Sequence, residues 1–118
     1  MNNYNTDNIF AKIIKGEIPC DKIYEDEHIL AFNDIAPLAK THILVIPKGQ
    51  YVSFDDFTAN ASADEIANFY KTIQIIAQQA ELNTTGYRLI SNHGADAYQT
   101  VEHFHVHILG GEKLAAMN

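Results

Sequence analysis

His103-Phe104-His105-Val106-His107-Ile108-Leu109 is the stretch on which the reading of this chain turns. Three imidazoles alternate with three apolar side chains. In an extended strand successive side chains point to opposite faces, so the rings fall on one side with neighbours roughly 6–7 Å apart. Phe104, Val106 and Ile108 then face the core. The pattern predicts a strand from Glu102 to Leu109, ended by Gly110-Gly111. A lone strand histidine is ordinary, but half of the chain's 6 histidines lie in this short run, which marks a functional row. Imidazole titrates near neutral pH and is a good nucleophile towards phosphorus. Such a row can supply a nucleophile, a proton carrier and a hydrogen-bond partner, and can split hydrolysis into formation and breakdown of a phosphorylated histidine. Histidines at i and i+2 of a strand can also ligate zinc with a third ligand from elsewhere. Spacing alone leaves metal and phosphoryl chemistry equally open.

Working outward, Tyr87-Arg88-Leu89-Ile90-Ser91 reads as a strand after Gly86, followed by the polar loop Asn92 to Ala97. Ser62-Ala63-Asp64-Glu65 has the form of a capping box, in which the serine oxygen accepts from the backbone and Glu65 reaches back. Behind it Ile66, Phe69, Tyr70, Ile73, Ile76, Ala77 and Ala80 recur at intervals of three and four, one apolar face of a long helix ending near Leu82. Towards the N-terminus, Thr41 to Pro47, His28 to Asn33 and Lys22 to Glu25 read as strands, the first of them rich in β-branched residues. Asp34 to Lys40, with Pro37, connects the last two in chain order. Ile9, Phe10, Ile13 and Ile14 fall at helical spacing between a capping Asp7 or Asn8 and Gly16, and Pro19 blocks continuation. Strands joined by short turns with one long helix inserted give an antiparallel α+β domain.

The chain has 118 residues, enough for a single domain spanning 1–118. Hydrophobic residues at 47% and charged residues at 19% are a globular composition. The net charge is −7 and the basic residues form no cluster, which argues against a nucleic-acid partner, since such affinity rests on phosphate neutralisation. One small phosphate-containing ligand remains compatible. The single cysteine, Cys20, permits no intrachain disulfide and suits a reduced compartment. The polar start shows no signal peptide, and no apolar run spans a bilayer. A cytoplasmic protein without a membrane partner is expected, with further burial available by pairing with a second copy.

His103 to Leu109 resembles the signature of the histidine triad (HIT) family, His-φ-His-φ-His-φ-φ with φ apolar, at every position. The resemblance covers nearly the whole chain. Asn8 to Pro19 is similar to the family's N-terminal segment, and Ala31 to Pro37 and Thr41 to Lys48 to its central strands. The ending Leu109-Gly110-Gly111 is similar to the Hint branch, the purine nucleoside phosphoramidases. The resemblance implies a five-stranded antiparallel sheet with one long and one short helix, and a ten-stranded sheet across a homodimer. It implies that His105 attacks the α-phosphorus of a purine nucleotide derivative, after which water releases the nucleoside monophosphate. His107 would contact the phosphate and is the candidate proton donor to the leaving group. His103 would orient the row, and His42, behind the triad, would relay protons. Asp34 matches the acidic residue that bonds the ribose hydroxyls. Asn92 and Thr100 match phosphate contacts, and Gln99 is a further candidate donor. Ile9, Phe10, Ile13, Ile18, Phe32, Asn33, Ile35 and Leu44 match the walls of the purine cleft. Two other readings stand beside this one: a nucleotide-binding regulatory module with incidental hydrolysis, and a dinucleoside polyphosphate hydrolase.

The sequence departs from the family pattern at Tyr98, where many relatives have glycine, and at Thr100, where serine is common. Glu102 precedes the triad where an apolar residue is frequent, and its charge is expected to raise the pKa of His103 if near it. The tail from Glu112 to Asn118 lacks the tryptophan and prolines of some Hint proteins. Some bacterial members bind structural zinc through Cys-x-x-Cys and a later histidine. Asn8 and Ala11 stand at the cysteine positions and Pro47-Lys48-Gly49-Gln50 offers no histidine, so neither metal nor cofactor is expected. His93 and His28 read as surface residues, and Cys20 as a buried residue outside the site.

Overall fold

A computed structural model describes residues 3–117 of the chain. The elements run α1 (Ile9–Ile14), β1 (Asp21–Glu25), β2 (Ile29–Asn33), β3 (Thr41–Pro47), α2 (Phe54–Asn60), α3 (Ala63–Gln79), β4 (Tyr87–Ile90), a 3₁₀ turn (Ala95–Ala97) and β5 (Val106–Gly110). The five strands form one sheet in the order β1-β2-β3-β5-β4, and every neighbouring pair is antiparallel. This is the α+β architecture that the strand and helix patterns predict.

Because β2 and β3 are central, both of their faces are covered, and alternate residues join different cores. Ile43 and Val45 pack with Phe57, Phe69, Ile73, Ile76, Phe104, Val106 and Ile108, the core under α2 and α3. Leu44 and Ile46 pack with Phe10, Leu30 and Phe32, the core under α1. Val106 and Ile108 therefore point to the long-helix side, while His107, in register with Leu44, points to the α1 side. Phe104 anchors the first core: its ring stacks on Phe57 at 4.8 Å and tilts against Phe69 at 5.4 Å. Buried aromatic pairs of this kind add to the area they remove from water.

The caps explain where the helices begin. Asn8 Oδ1 accepts from the amide of Ala11 at 2.9 Å and starts α1. Ser62 Oγ accepts from the amide of Glu65 at 3.0 Å and starts α3. The Glu65 carboxylate does not complete the expected capping box; it accepts instead from the Tyr51 hydroxyl at 2.9 Å, tying the β3–α2 connection to α3. Helix α2 is an addition to the sequence reading. Ser53 Oγ accepts from the amide of Asp56 at 3.3 Å, and Asp56 Oδ2 accepts from the amide of Val52 at 2.7 Å. That puts Phe57, fully buried, over Phe104.

The last strand is shorter than the alternation predicts. Its ladder with β3 ends at Val45↔Val106, and His103 to His105 precede the regular strand. The reason lies in who uses the main chain there. The Pro47 carbonyl accepts from the His103 ring at 2.7 Å, and the Phe104 amide donates to the Tyr51 carbonyl at 2.7 Å. The extended path continues and the faces still alternate, but side-chain and loop bonds replace ladder bonds.

Candidate active site

A cavity of about 280 Å³ opens between α1, the end of β2 and the row of histidines. The apolar residues expected to wall a purine cleft, Ile9, Phe10, Ile13, Ile18, Phe32, Ile35 and Leu44, all line it. So do Asn33, Asp34, Thr100, His105 and His107. Three further wall residues, Pro19, Cys20 and Val101, escape the sequence reading. Cys20 is half-buried in this wall, not outside the site as expected. No local signal distinguishes it, since the turn after Pro19 approaches the cavity only through tertiary packing. The wall is mainly apolar and contains no lysine or arginine, so a phosphate bound here must be held by neutral donors.

His103 is wholly buried with both ring nitrogens engaged. Nε2–H donates to the Pro47 carbonyl at 2.7 Å, so Nδ1 is the acceptor of the Tyr4 hydroxyl at 2.5 Å. Burial holds its pKa down at about 4. Glu102 is exposed and is not among the groups that act on this ring, so the upward push expected of it is missing and His103 is a neutral structural ring. The role of Tyr4 has no sequence signal, because it acts from the far end of the chain.

The main-chain carbonyl of His103 accepts from His105 Nδ1–H at 2.7 Å. A neutral imidazole with its proton on Nδ1 carries its lone pair on Nε2. Phe10 packs edge-on against this ring at 5.0 Å. His105 is buried, which lowers its pKa and keeps the ring unprotonated at neutral pH. His107 lies beside it, 5.1 Å between ring centres. The pKa of His107 is also held down at about 4, first by burial and then by the neighbouring His105 and His42.

Behind His107 sits His42, buried, with Nε2 at 2.9 Å from His107 Nδ1 and 3.4 Å from Asp34 Oδ2. The amide of Leu38 donates to His42 Nδ1 at 3.1 Å. Burial lowers the His42 pKa, opposed by the Asp34 carboxylate. The other oxygen of Asp34 accepts from the amide of Ala36 at 2.9 Å, which fixes the carboxylate at the cavity edge.

The loop after β4 supplies the remaining candidates. Asn92 is half-buried and its amide donates to the Ala97 carbonyl at 2.9 Å; it orders the loop and does not line the cavity. Gln99 is committed further. Its Nε2 donates to the carbonyls of Val52 and Val101 at 2.7 and 3.1 Å, and its Oε1 accepts from the Gly94 amide at 2.9 Å. With these bonds the Gln99 side chain braces the loop. Tyr98 is 85% exposed and adopts left-handed backbone at φ 57°. His93 is exposed, 3.5 Å from Asp55, and His28 is exposed beside Glu27.

The metal alternative meets two obstacles. The triad cannot act as a three-histidine ligand set, because both His103 nitrogens are bonded. Among the described residues, Asp34, His42 and His107 do place one ligand atom each within 4.8 Å of one another. A metal there would need the His42 proton on Nδ1, against the Leu38 N–H. The arrangement fits a hydrogen bond from His42 to its neighbours better than a cation.

An α+β sheet that presents alternate histidines to an apolar cavity defines a class of small-ligand sites. The HIT domain model matches residues 15–114. An uncharacterized HIT-like protein of Rickettsia prowazekii is 53% identical over 114 residues, covering 97% of this chain and 95% of that one. Two solved structures are also similar. A HIT family hydrolase from Legionella pneumophila superposes with a TM-score of 0.86 at 38% identity, covering 92% of this chain and 96% of the other. A histidine triad nucleotide-binding protein from Candida albicans gives 0.78 at 29% identity, covering 95% and 86%. The chain belongs to the histidine triad family.

Proposed function

We propose that this protein hydrolyses purine nucleoside 5′-phosphoramidates and related acyl nucleotidates through a nucleotidyl-histidine intermediate. The observation that carries the reading is the state of His105: Nδ1–H is spent on the His103 carbonyl, and the lone pair of Nε2 is left beside an apolar cavity. The Legionella relative, named a hydrolase, and the Candida relative, named nucleotide-binding, support the two halves of the reading.

The base enters the slot between Ile9, Phe10, Ile13, Ile18 and Phe32, where apolar walls favour a flat heterocycle. Asp34 accepts from the ribose hydroxyls. Thr100, at the cavity edge, and the His107 ring donate to phosphate oxygens, with Asn92 and Gln99 shaping the loop that carries Thr100. His105 Nε2 attacks the α-phosphorus, forming a P–N bond as the bond to the leaving amine or carboxylate breaks. Water then cleaves the new bond, releases the nucleoside monophosphate and restores the free ring. No cofactor or metal enters these steps. The open edge of β4 is the proposed seam of a ten-stranded homodimer, and the cytoplasm the proposed compartment.

Purified protein is expected to release AMP from adenosine 5′-phosphoramidate. His105→Asn should lose at least about 10³-fold in kcat/KM, as removal of a covalent nucleophile does, while still binding AMP. Rapid quenching should trap the nucleotidyl group on His105. A His105→Asn protein that keeps wild-type turnover overturns the assignment.

A further inference from the structure

We infer that His42 is a tautomer lock and not a proton relay: the main-chain N–H of Leu38 makes its Nδ1 an acceptor, so its Nε2 carries the proton and donates to the nearer His107, which then faces the substrate with a fixed Nε2–H. The inference deepens the proposed hydrolysis and rests on that reading only for its kinetic arm.

Two contacts fix the tautomer independently. A backbone N–H donates and cannot accept, so the His42 Nδ1 that meets it at 3.1 Å must hold a lone pair. A neutral imidazole then carries its proton on Nε2. That nitrogen faces the Asp34 Oδ2 acceptor at 3.4 Å and lies 2.9 Å from His107 Nδ1, which must then accept. The opposite tautomer would set two N–H groups head to head at Leu38 and aim a bare nitrogen at a carboxylate. With its Nδ1 filled as an acceptor, His107 keeps its own proton on Nε2.

The same bonds forbid relay. For His42 to pass its Nε2 proton to His107, a proton must arrive at its Nδ1, and the Leu38 amide occupies that path. Transfer without replacement would leave an imidazolate. A His107 cation would likewise drive N–H against N–H. The depressed pKa values of both rings agree with an uncharged pair. His107 thus gives a directional hydrogen bond to a phosphoryl oxygen, and the proton taken up by a leaving amine comes from solvent water entering the open cavity, not from this pair.

The lock is built from main chain. The Leu38 side chain is 82% exposed, so its amide is the part the fold uses. The loop is held at both ends: the Asp34 amide donates to the His42 carbonyl at 2.9 Å, and the Lys40 amide donates to Glu112 Oε2 at 2.6 Å. An amide does not titrate, so the tautomer is set wherever the loop is folded and the His42 ring is neutral.

Ring-¹⁵N-histidine NMR of the wild-type protein at neutral pH tests the lock without any substrate. His42 and His107 should each show a protonated Nε2 and a bare Nδ1; a protonated Nδ1 on either overturns it. The kinetic arm compares His42→Gln, whose terminal amide can still donate to His107, with His42→Leu, which cannot. Gln should keep kcat within about tenfold of wild type, while Leu should lose on the order of 10²-fold in kcat with little change in KM, the size expected for a lost orienting partner. Equal losses in Gln and Leu point to relay and overturn the proposal. A wild-type protein that turns over no nucleoside phosphoramidate would sink the proposed function, and the NMR arm would still decide the tautomers.

Discussion

The His105 ring donates its Nδ1 proton to the carbonyl of His103 across 2.7 Å, so the residue two positions earlier fixes the nucleophile's reactive nitrogen. Burial lowers the pKa of His105 below the ordinary 6.5, even though this hydrogen bond favours the cation. Protonation on Nε2 removes the attacking lone pair. Activity should therefore be flat through neutrality and fall only on an acid limb centred below 6.5. A kcat/KM profile on adenosine 5′-phosphoramidate checks this, and a limb centred above 6.5 contradicts it.

His103 makes the same argument for stability. Its pKa is about 4 in the folded protein against 6.5 for the free ring. Between those values the unfolded chain holds a proton that the folded chain does not, so stability rises with pH there and is lost as pH falls from 6.5 towards 4. The ring is 0% exposed, and a shift of this size corresponds to about 3 kcal/mol. Urea unfolding across this window should show that loss, with a shallower slope in His103→Gln. A stability flat from pH 6.5 to 4 would contradict burial of a neutral ring.

Much of this architecture is visible in the sequence because burial writes it there. Alternation from His103 to Ile108 separates a histidine face from a core face, and Phe104, Val106 and Ile108 do join the core under α3. The i, i+3, i+4 pattern gives α3, and every apolar cleft residue expected from the family resemblance reaches the cavity wall. What escapes is set by long-range contacts. Tyr4 meets His103 across 99 positions, and Cys20 and Val101 reach the cavity from separate loops. Helix α2 escapes for a different reason: it is short and buries mainly Phe57, too little for a periodic stripe, although Ser53 and Asp56 carry the same cap spacing as Ser62 and Glu65. The bond of Gln99 to the Val52 carbonyl is another contact across the chain that no local pattern shows.

Tyr4 is the partner that satisfies His103 Nδ1. Tyr4→Phe keeps the ring that packs edge-on at 5.5 Å and removes only the hydroxyl. The buried nitrogen is then left without a donor, which costs about 1–3 kcal/mol. Denaturant midpoints should fall accordingly, with the m-value unchanged. A Tyr4→Phe protein as stable as wild type would show that the N-terminal segment does not hold the triad.

Tyr98 tests how the loop beside the cavity is held. Its left-handed backbone strains any side chain with a Cβ, by roughly 1–2 kcal/mol. The ring is 85% exposed, so removing it forfeits little buried area. Glycine relieves the strain but adds freedom to the unfolded chain, worth roughly 0.5–1 kcal/mol. The two nearly cancel, and Tyr98→Gly should be as stable as wild type or slightly more so. A β-branched residue suits φ near 57° worst, so Tyr98→Val should lose about 1–2 kcal/mol relative to wild type. Thermal unfolding of the pair decides the point. Equal stability of Gly and Val at this position would mean that the loop relaxes out of the left-handed turn, and that Gln99, not residue 98, sets the path of the chain towards Thr100.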